Sequence, residues 1–327
     1  MIPVNHKKSA IMLLLIGSLI ASGSSFAFKK VGVTSFQFLK VMPGARSTAM
    51  GEAYASLATG SDAMFWNPAM LTQKDRFSAS ISDVDWFLDT GQRAFSASYS
   101  HYGTWAIGVM GMYADYGEIE VTTVEQLKPL SDGYNPGLTG EVINPGANVL
   151  GLAVARMLTN KFAFGVTAKL ATENMDVKQK SVLMFDGGIY YNTDWRSIQL
   201  AATLRHFGPE VEYYDKSYPL PQTMNIGISA YLFSPGENLF FTTTNQALLF
   251  AFDIVQPRDY DQQYNFGLEY AFSDFLFARA GYKLNYDTAG ICLGFGLKYK
   301  MFKIDYSFND YGEYLGNINR FSLGFEF

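Results

Sequence analysis

Strict two-residue alternation over long stretches constrains this chain more than any other feature. In KFAFGVTAKLATE, residues 161 to 173, Phe162, Phe164, Val166, Ala168 and Leu170 share one face, and Ala163, Gly165, Thr167 and Lys169 the other. QQYNFGLEYAF repeats this, with Tyr264, Phe266, Leu268, Tyr270 and Phe272 opposite Asn265, Gly267 and Glu269. GICLGFGLKYK sets Ile291, Leu293, Phe295, Leu297 and Tyr299 against Cys292, Gly294, Gly296 and Lys298, and the final RFSLGFEF does the same with Phe321, Leu323, Phe325 and Phe327. Successive side chains of a strand point to opposite faces, so each stretch reads as a strand with an apolar, aromatic face and a small, glycine-rich or charged one.

Alternation alone fits a soluble β-sandwich as well as a membrane barrel, and connection lengths separate them. Strands are expected near residues 76 to 83, 92 to 101, 104 to 114, 147 to 158, 161 to 171, 182 to 192, 195 to 207, 221 to 233, 239 to 255, 262 to 272, 275 to 284, 290 to 299, 302 to 308 and 320 to 327. Tight turns such as Tyr102-Gly103, Thr159-Asn160, Ser273-Asp274 and Lys300-Met301 alternate with longer connections, the longest over 115 to 146. An even strand count with long loops at one end and short turns at the other is the pattern of an outer-membrane barrel. The predicted fold is all-β: a closed transmembrane antiparallel β-barrel of about 14 strands with an N-terminal helical plug segment.

Composition agrees. Aromatic residues make up 16% of the chain, with 21 Tyr and 27 Phe, and charged residues only 17%, below the roughly 25% of ordinary globular chains. After the first 27 residues no stretch reaches the 18 or more apolar residues of a membrane helix, so a membrane contact would be made by strands. Hydrocarbon cannot satisfy a free sheet edge, and the barrel must close, last strand on first. Phe327 resembles the aromatic ending recognised by outer-membrane assembly machinery; its alternative is the plain end of a core strand.

The N-terminus reads as an export signal. Lys7 and Lys8 precede the apolar run AIMLLLIGSLIA, and Ser25 and Ala27 flank Phe26, which predicts cleavage after Ala27. Losing those two lysines moves the net charge from −5 to −7, which gives no reason to expect a nucleic-acid partner. A single cysteine, Cys292, excludes an internal disulfide framework and a cysteine metal cluster.

Residues 28 to 75 lack strand alternation. ARSTAMGEAYASLA reads as a helix, and in SDAMFWNPAM the apolar Met64, Phe65 and Trp66 run straight into Asn67 and Pro68. Asn67 is suited to cap a short helix that Pro68 begins. A barrel of this size leaves a lumen unless filled, so the segment is expected to enter and plug it, with Phe65 and Trp66 on the inner wall or the helix. An external periplasmic helix is the alternative. The resulting division is a signal peptide over 1 to 27, a plug over 28 to 75 and a barrel over 76 to 327.

The run FLKVMPGARSTAMGEAYASLATGSDAMFWNPAML resembles the N-terminal signature of the PorV/PorQ family of outer-membrane proteins, related to FadL-type fatty-acid channels. Gly44, Ala45, Arg46, Met50, Gly51, Ala53, Asn67, Pro68 and Ala69 stand at the signature positions, and Glu52 departs from the Gly often found there. The resemblance continues through LGLAVARMLTNKFAFGVTAKL and QLAATLRHFG to the final strand. It implies a fourteen-strand barrel with an N-terminal plug. It also implies a protein-handling role in type IX secretion or surface attachment, with secretion-complex subunits and cargo C-terminal domains as partners. The alternative is a FadL-like channel for a hydrophobic small molecule, and either protein would sit in outer-membrane lipid.

Other residues offer little chemistry. His101 and His206 lie beside strand ends and no Ser, His and acid grouping can be assembled by spacing, so no enzyme activity and no catalytic residue is expected. No cofactor and no metal site is expected either, because a loop pair such as Asp259 and Asp261 is ordinarily solvated. Lys169, Arg205, Arg279 and Lys283 fall opposite the apolar stripe and are expected to line or fill the lumen, as ion-pair members or selectivity elements. Loop 115 to 146, with Tyr134, Leu138, Val142 and Ile143, is a candidate protein-contact surface or a plain solvated cap. Tyr213, Tyr214 and Tyr218 read as an interfacial aromatic girdle, with a partner-binding patch as the alternative.

Overall fold

A computed structural model describes residues 32–88, 90–130, 133–175, 178–213, 215–288, 290–312 and 316–327. The leader read over residues 1 to 27 lies outside them, as do residues 28 to 31 of the expected plug and Tyr214.

Fourteen strands close into an antiparallel barrel. They are β1 (Arg76–Asp85), β2 (Gly91–His101), β3 (Trp105–Asp115), β4 (Gly146–Met157), β5 (Phe162–Asn174), β6 (Gln179–Asn192) and β7 (Gln199–Phe207). The second half comprises β8 (Thr223–Ser234), β9 (Gln246–Pro257), β10 (Gln263–Phe272), β11 (Leu276–Leu284), β12 (Ile291–Tyr299), β13 (Phe302–Asp310) and β14 (Asn317–Glu326). Each pairs with its sequence neighbours, and β14 returns to β1 in a register that places Ile81 opposite Leu323. No edge is left over.

The alternation resolves into an outside and an inside. Ile81, Phe95, Ile107, Leu152, Val166, Ile226 and Phe295 stand exposed on the outer wall, the apolar band a bilayer requires. Serines hold the inner wall between β1, β2 and β14: Ser78 meets Ser98 at 3.0 Å, Ser80 meets Ser96 at 2.9 Å and Ser82 meets Ser322 at 2.9 Å.

Most strand ends fall within three residues of the sequence reading, and two starts differ by more. β7 begins at Gln199, not 195, because Asp194 and Arg196 turn with φ of 53° and 55°. β9 begins at Gln246, not 239; the aromatic pair Phe240-Phe241 imitates strand alternation, but Phe241–Thr242 pairs in parallel beside the end of β8.

Residues 32 to 75 run through the interior from the loop end to the turn end. At the loop end the Ser35 amide donates to the Pro219 carbonyl, and at the turn end Lys74 pairs with Glu326 at 2.6 Å. The helix expected over residues 45 to 58 is confined to α1 (Ala45–Ala49), because Gly51 and Glu52 take φ of 62° and 64° and turn the chain back. A second short helix, α2 (Ala63–Trp66), leads into a 3₁₀ helix, Pro68–Gln73, capped by the Asn67 side chain, which accepts from the Ala69 amide at 3.1 Å.

Candidate functional site

Glycines on the inner wall seat the N-terminal segment. A Cβ at Gly281 would stand 2.1 Å from the Gly51 nitrogen, and one at Gly267 2.6 Å from the Met50 carbonyl oxygen. These two glycines pair across β10 and β11, so bare backbone receives the Met50-Gly51 turn. A second seat lies on β5 and β6, where a Cβ at Gly165 would reach 2.4 Å from the Pro68 carbonyl carbon and one at Gly188 2.0 Å from Asn67 Oδ1. The Asn67 amide also donates to the carbonyls of Ala55 at 3.0 Å and Ile189 at 3.2 Å. The apolar run before the Asn-Pro pair therefore has its cover: Phe65 and Trp66 are buried, and Trp66 meets the edge of Tyr54 at 5.6 Å.

Among the other residues at the signature positions, Ala45, Ala53 and Ala69 are fully buried. The Ala45 amide donates to Ser322 Oγ at 2.9 Å, and a Cβ at Gly44 would touch Ser47 Oγ. Arg46 reaches across to β10 and holds Glu269 through Nε at 2.8 Å and Nη2 at 2.7 Å.

The four inward cations meet different partners. Arg279 bridges Glu269 and Asp305, at 2.5 and 2.7 Å, and joins the Arg46 network. Lys283 pairs with Glu52, so the residue standing where glycine was expected ties the segment to β11. Lys169 pairs with Asp186 and does not touch the segment through that bond. Arg205 lies at a register shift between β6 and β7, where His206 takes φ of 58° and donates its amide to Asp186 at 2.8 Å. A bulge re-aims side chains, and here the Arg205 guanidinium lies 5.0 Å over the Trp66 ring with Nη1 3.4 Å from the Phe65 carbonyl oxygen.

The segment leaves open space at both ends. At the turn end a polar vestibule of about 930 Å³ is walled by Arg46, Lys74, Glu269, Lys298, Lys303 and Glu326 among others. At the loop end a cavity of about 770 Å³ lies between residues 32 to 41 and the connections after β1, β3, β5 and β7. Phe36, Phe38, Trp86, Phe87, Tyr116, Tyr213 and Tyr218 line it, with Met175 and Glu173. The Tyr116 hydroxyl donates to Glu173 at 2.9 Å, and the Tyr213 hydroxyl donates to the same carboxylate. Burial first and then Glu173 push both phenols well above their ordinary pKa, so both remain protonated donors.

This placement corrects two expectations. Tyr213 and Tyr218 line the loop-end cavity and form no girdle on the outer wall. Asp259 is not solvated: it is 3% exposed and takes the Thr34 hydroxyl at 2.9 Å and the Lys40 ammonium at 2.6 Å, which fastens the segment to the loop after β9. His101 stacks on Trp105 at 5.5 Å near the turn end. Loop 115 to 146 carries a protruding hairpin, Ile119–Thr122 with Leu138–Ile143, on which Val124, Leu130 and Val142 are exposed.

The cavity itself escaped the sequence reading. One signal was present: Glu173 continues the inward positions 163, 165, 167 and 169 of its strand. Its aromatic partners come from three separate connections and share no spacing.

No protein-family model matches the chain, and comparison with curated proteins gives no match. Solved structures do match. The chain has the fold of FadL-type outer-membrane barrels. It aligns with the toluene transporter TbuX of Ralstonia pickettii at 14% identity and a TM-score of 0.57, over 87% of this chain and 98% of that one. Against the toluene transporter TodX of Pseudomonas putida the values are 13%, 0.54, 86% and 96%. Against a FadL homologue of Pseudomonas aeruginosa they are 11%, 0.53, 87% and 98%. At these identities the likeness carries the architecture. It does not reach the PorV/PorQ resemblance itself.

Proposed function

We propose that this chain is an integral outer-membrane protein, exported through a cleaved leader, that admits small hydrophobic molecules through a barrel closed by its N-terminal segment. The loop-end cavity carries the reading: it is an aromatic-walled space of about 770 Å³, whereas the space at the turn end is walled largely by polar and charged side chains. Binding sites for small apolar molecules are concave, apolar and crossed by a few placed polar groups. Two of the matched structures with this fold are toluene transporters, and toluene is a small hydrophobic molecule, which supports the reading. Residues 28 to 75 act as the plug, with Gly44, Arg46, Gly51, Asn67 and Pro68 holding it, and Lys169, Arg205, Arg279 and Lys283 belong to the filled lumen.

The test is uptake. Cells producing the protein, in a host that lacks comparable channels, should accumulate radiolabelled toluene faster than cells with an empty vector. Equal rates would end the channel reading. The protein-handling role implied by the PorV/PorQ resemblance rests on the exposed hairpin of residues 119 to 143. Affinity purification from native outer membranes that brings down secretion-complex subunits would favour it.

A further inference from the structure

The loop-end cavity is apolar in its walls and acidic in its charge. Among the described residues, three charged side chains line it: Lys40, Asp115 and Glu173. Lys40 is neutralised by Asp259 at 2.6 Å, and Asp115 lies exposed at the rim, with Oδ1 accepting the Gly117 amide at 3.0 Å. Lys178 donates to the Tyr213 carbonyl oxygen at 3.0 Å and is not part of the wall. Glu173 is 7% exposed, its oxygens are held by two neutral phenols, and it forms no ion pair among the described residues. A carboxylate offers about four acceptor positions, and two phenols fill two of them. The cavity is also lined by the rings of Phe36, Phe38, Phe87 and Tyr218, and an aromatic ring face attracts cations and repels anions.

We propose that this cavity selects apolar molecules bearing a positive charge, organic ammonium ions above all, over apolar anions of the same shape. The proposal rests on the channel reading given above and names the substrate class of that site. An ammonium entering beside Glu173 gains a buried counter-charge within a space lined by the rings of Phe36, Phe38 and Tyr213. A carboxylate or sulfonate entering the same space meets a like charge, with no unpaired cation among the described residues of the wall.

Three probes of one shape separate charge from burial: phenyltrimethylammonium, tert-butylbenzene and benzenesulfonate. Each is titrated calorimetrically into the purified full-length barrel in a non-ionic detergent, against detergent-only blanks. Phenyltrimethylammonium should bind at least about tenfold more tightly than benzenesulfonate, the separation a single favourable charge contact gives. Glu173→Gln should erase most of that gap while tert-butylbenzene binds as before, which also reports an intact cavity. Benzenesulfonate binding as well as the cation, or a gap unchanged by Glu173→Gln, would overturn the charge selection, while bound tert-butylbenzene would leave the channel reading standing. If tert-butylbenzene does not bind the wild type, the apolar site fails and this inference fails with it.

Discussion

At Gly281 one methyl group decides whether the N-terminal segment can dock. The ideal Cβ position lies 2.1 Å from the Gly51 nitrogen and 2.5 Å from the Met50 carbonyl carbon, both backbone atoms that cannot swing aside. Gly281→Ala should therefore lift the Met50-Gly51 turn off the wall. Limited proteolysis should then cut within residues 45 to 62, while Gly290→Ala, whose Cβ meets nothing within 4 Å, should digest like the wild type. Identical digestion of the two variants would remove the glycine seat from the account. Trp66, 3% exposed between Tyr54 and Arg205, should cost roughly 3 to 5 kcal/mol of local packing on truncation to Ala. The wall does not depend on Trp66, so Trp66→Ala should stay membrane-inserted with a protease-sensitive segment and higher conductance in planar bilayers. Unaltered digestion and conductance would count against the plug.

At the scale of elements, the strands were legible because alternation between apolar and small residues is written into each of them, as in β5 and β12. The N-terminal segment was legible as a non-strand but not in its course. Its helix was overestimated because the cue for stopping is tertiary: Gly51 and Glu52 turn where they meet Gly267, Gly281 and Lys283, residues more than 200 positions away. Glycines on the inner face of β5 and β10 were visible in the sequence, yet nothing local says what lies against them. The cavity was illegible for the same reason, since Tyr116, Glu173 and Tyr213 meet only once the barrel closes. The hairpin of residues 119 to 143 supplies a test at this scale. An epitope inserted at Gly133, whose Cβ position faces open space, should be labelled by antibody on intact cells, whereas one at Ser273 should not. Equal labelling of both would contradict the assignment of long loops and short turns to opposite ends.

The molecule as a whole is a wall of nearest-neighbour strands with no free edge, and such a wall unfolds only when many ladders break together. The protein should migrate faster on gels when unheated than when boiled, and should fractionate with outer membranes. Recovery as a soluble periplasmic protein would refute the membrane assignment.

The course of residues 32 to 75 also bears on how such a cylinder can be put together. The chain occupies the lumen from the loop end downward and joins the wall at the turn end, where Lys74 leads into β1. Were the seam between β1 and β14 to zip first, everything upstream of residue 74 would have to be threaded through a finished cylinder whose bore is already crowded by inward side chains. The segment thus lies in the cylinder like a mandrel: Gly51 sits against β10 and β11 and Pro68 against β5 and β6, on either side of the seam where Ser78 pairs with Glu326.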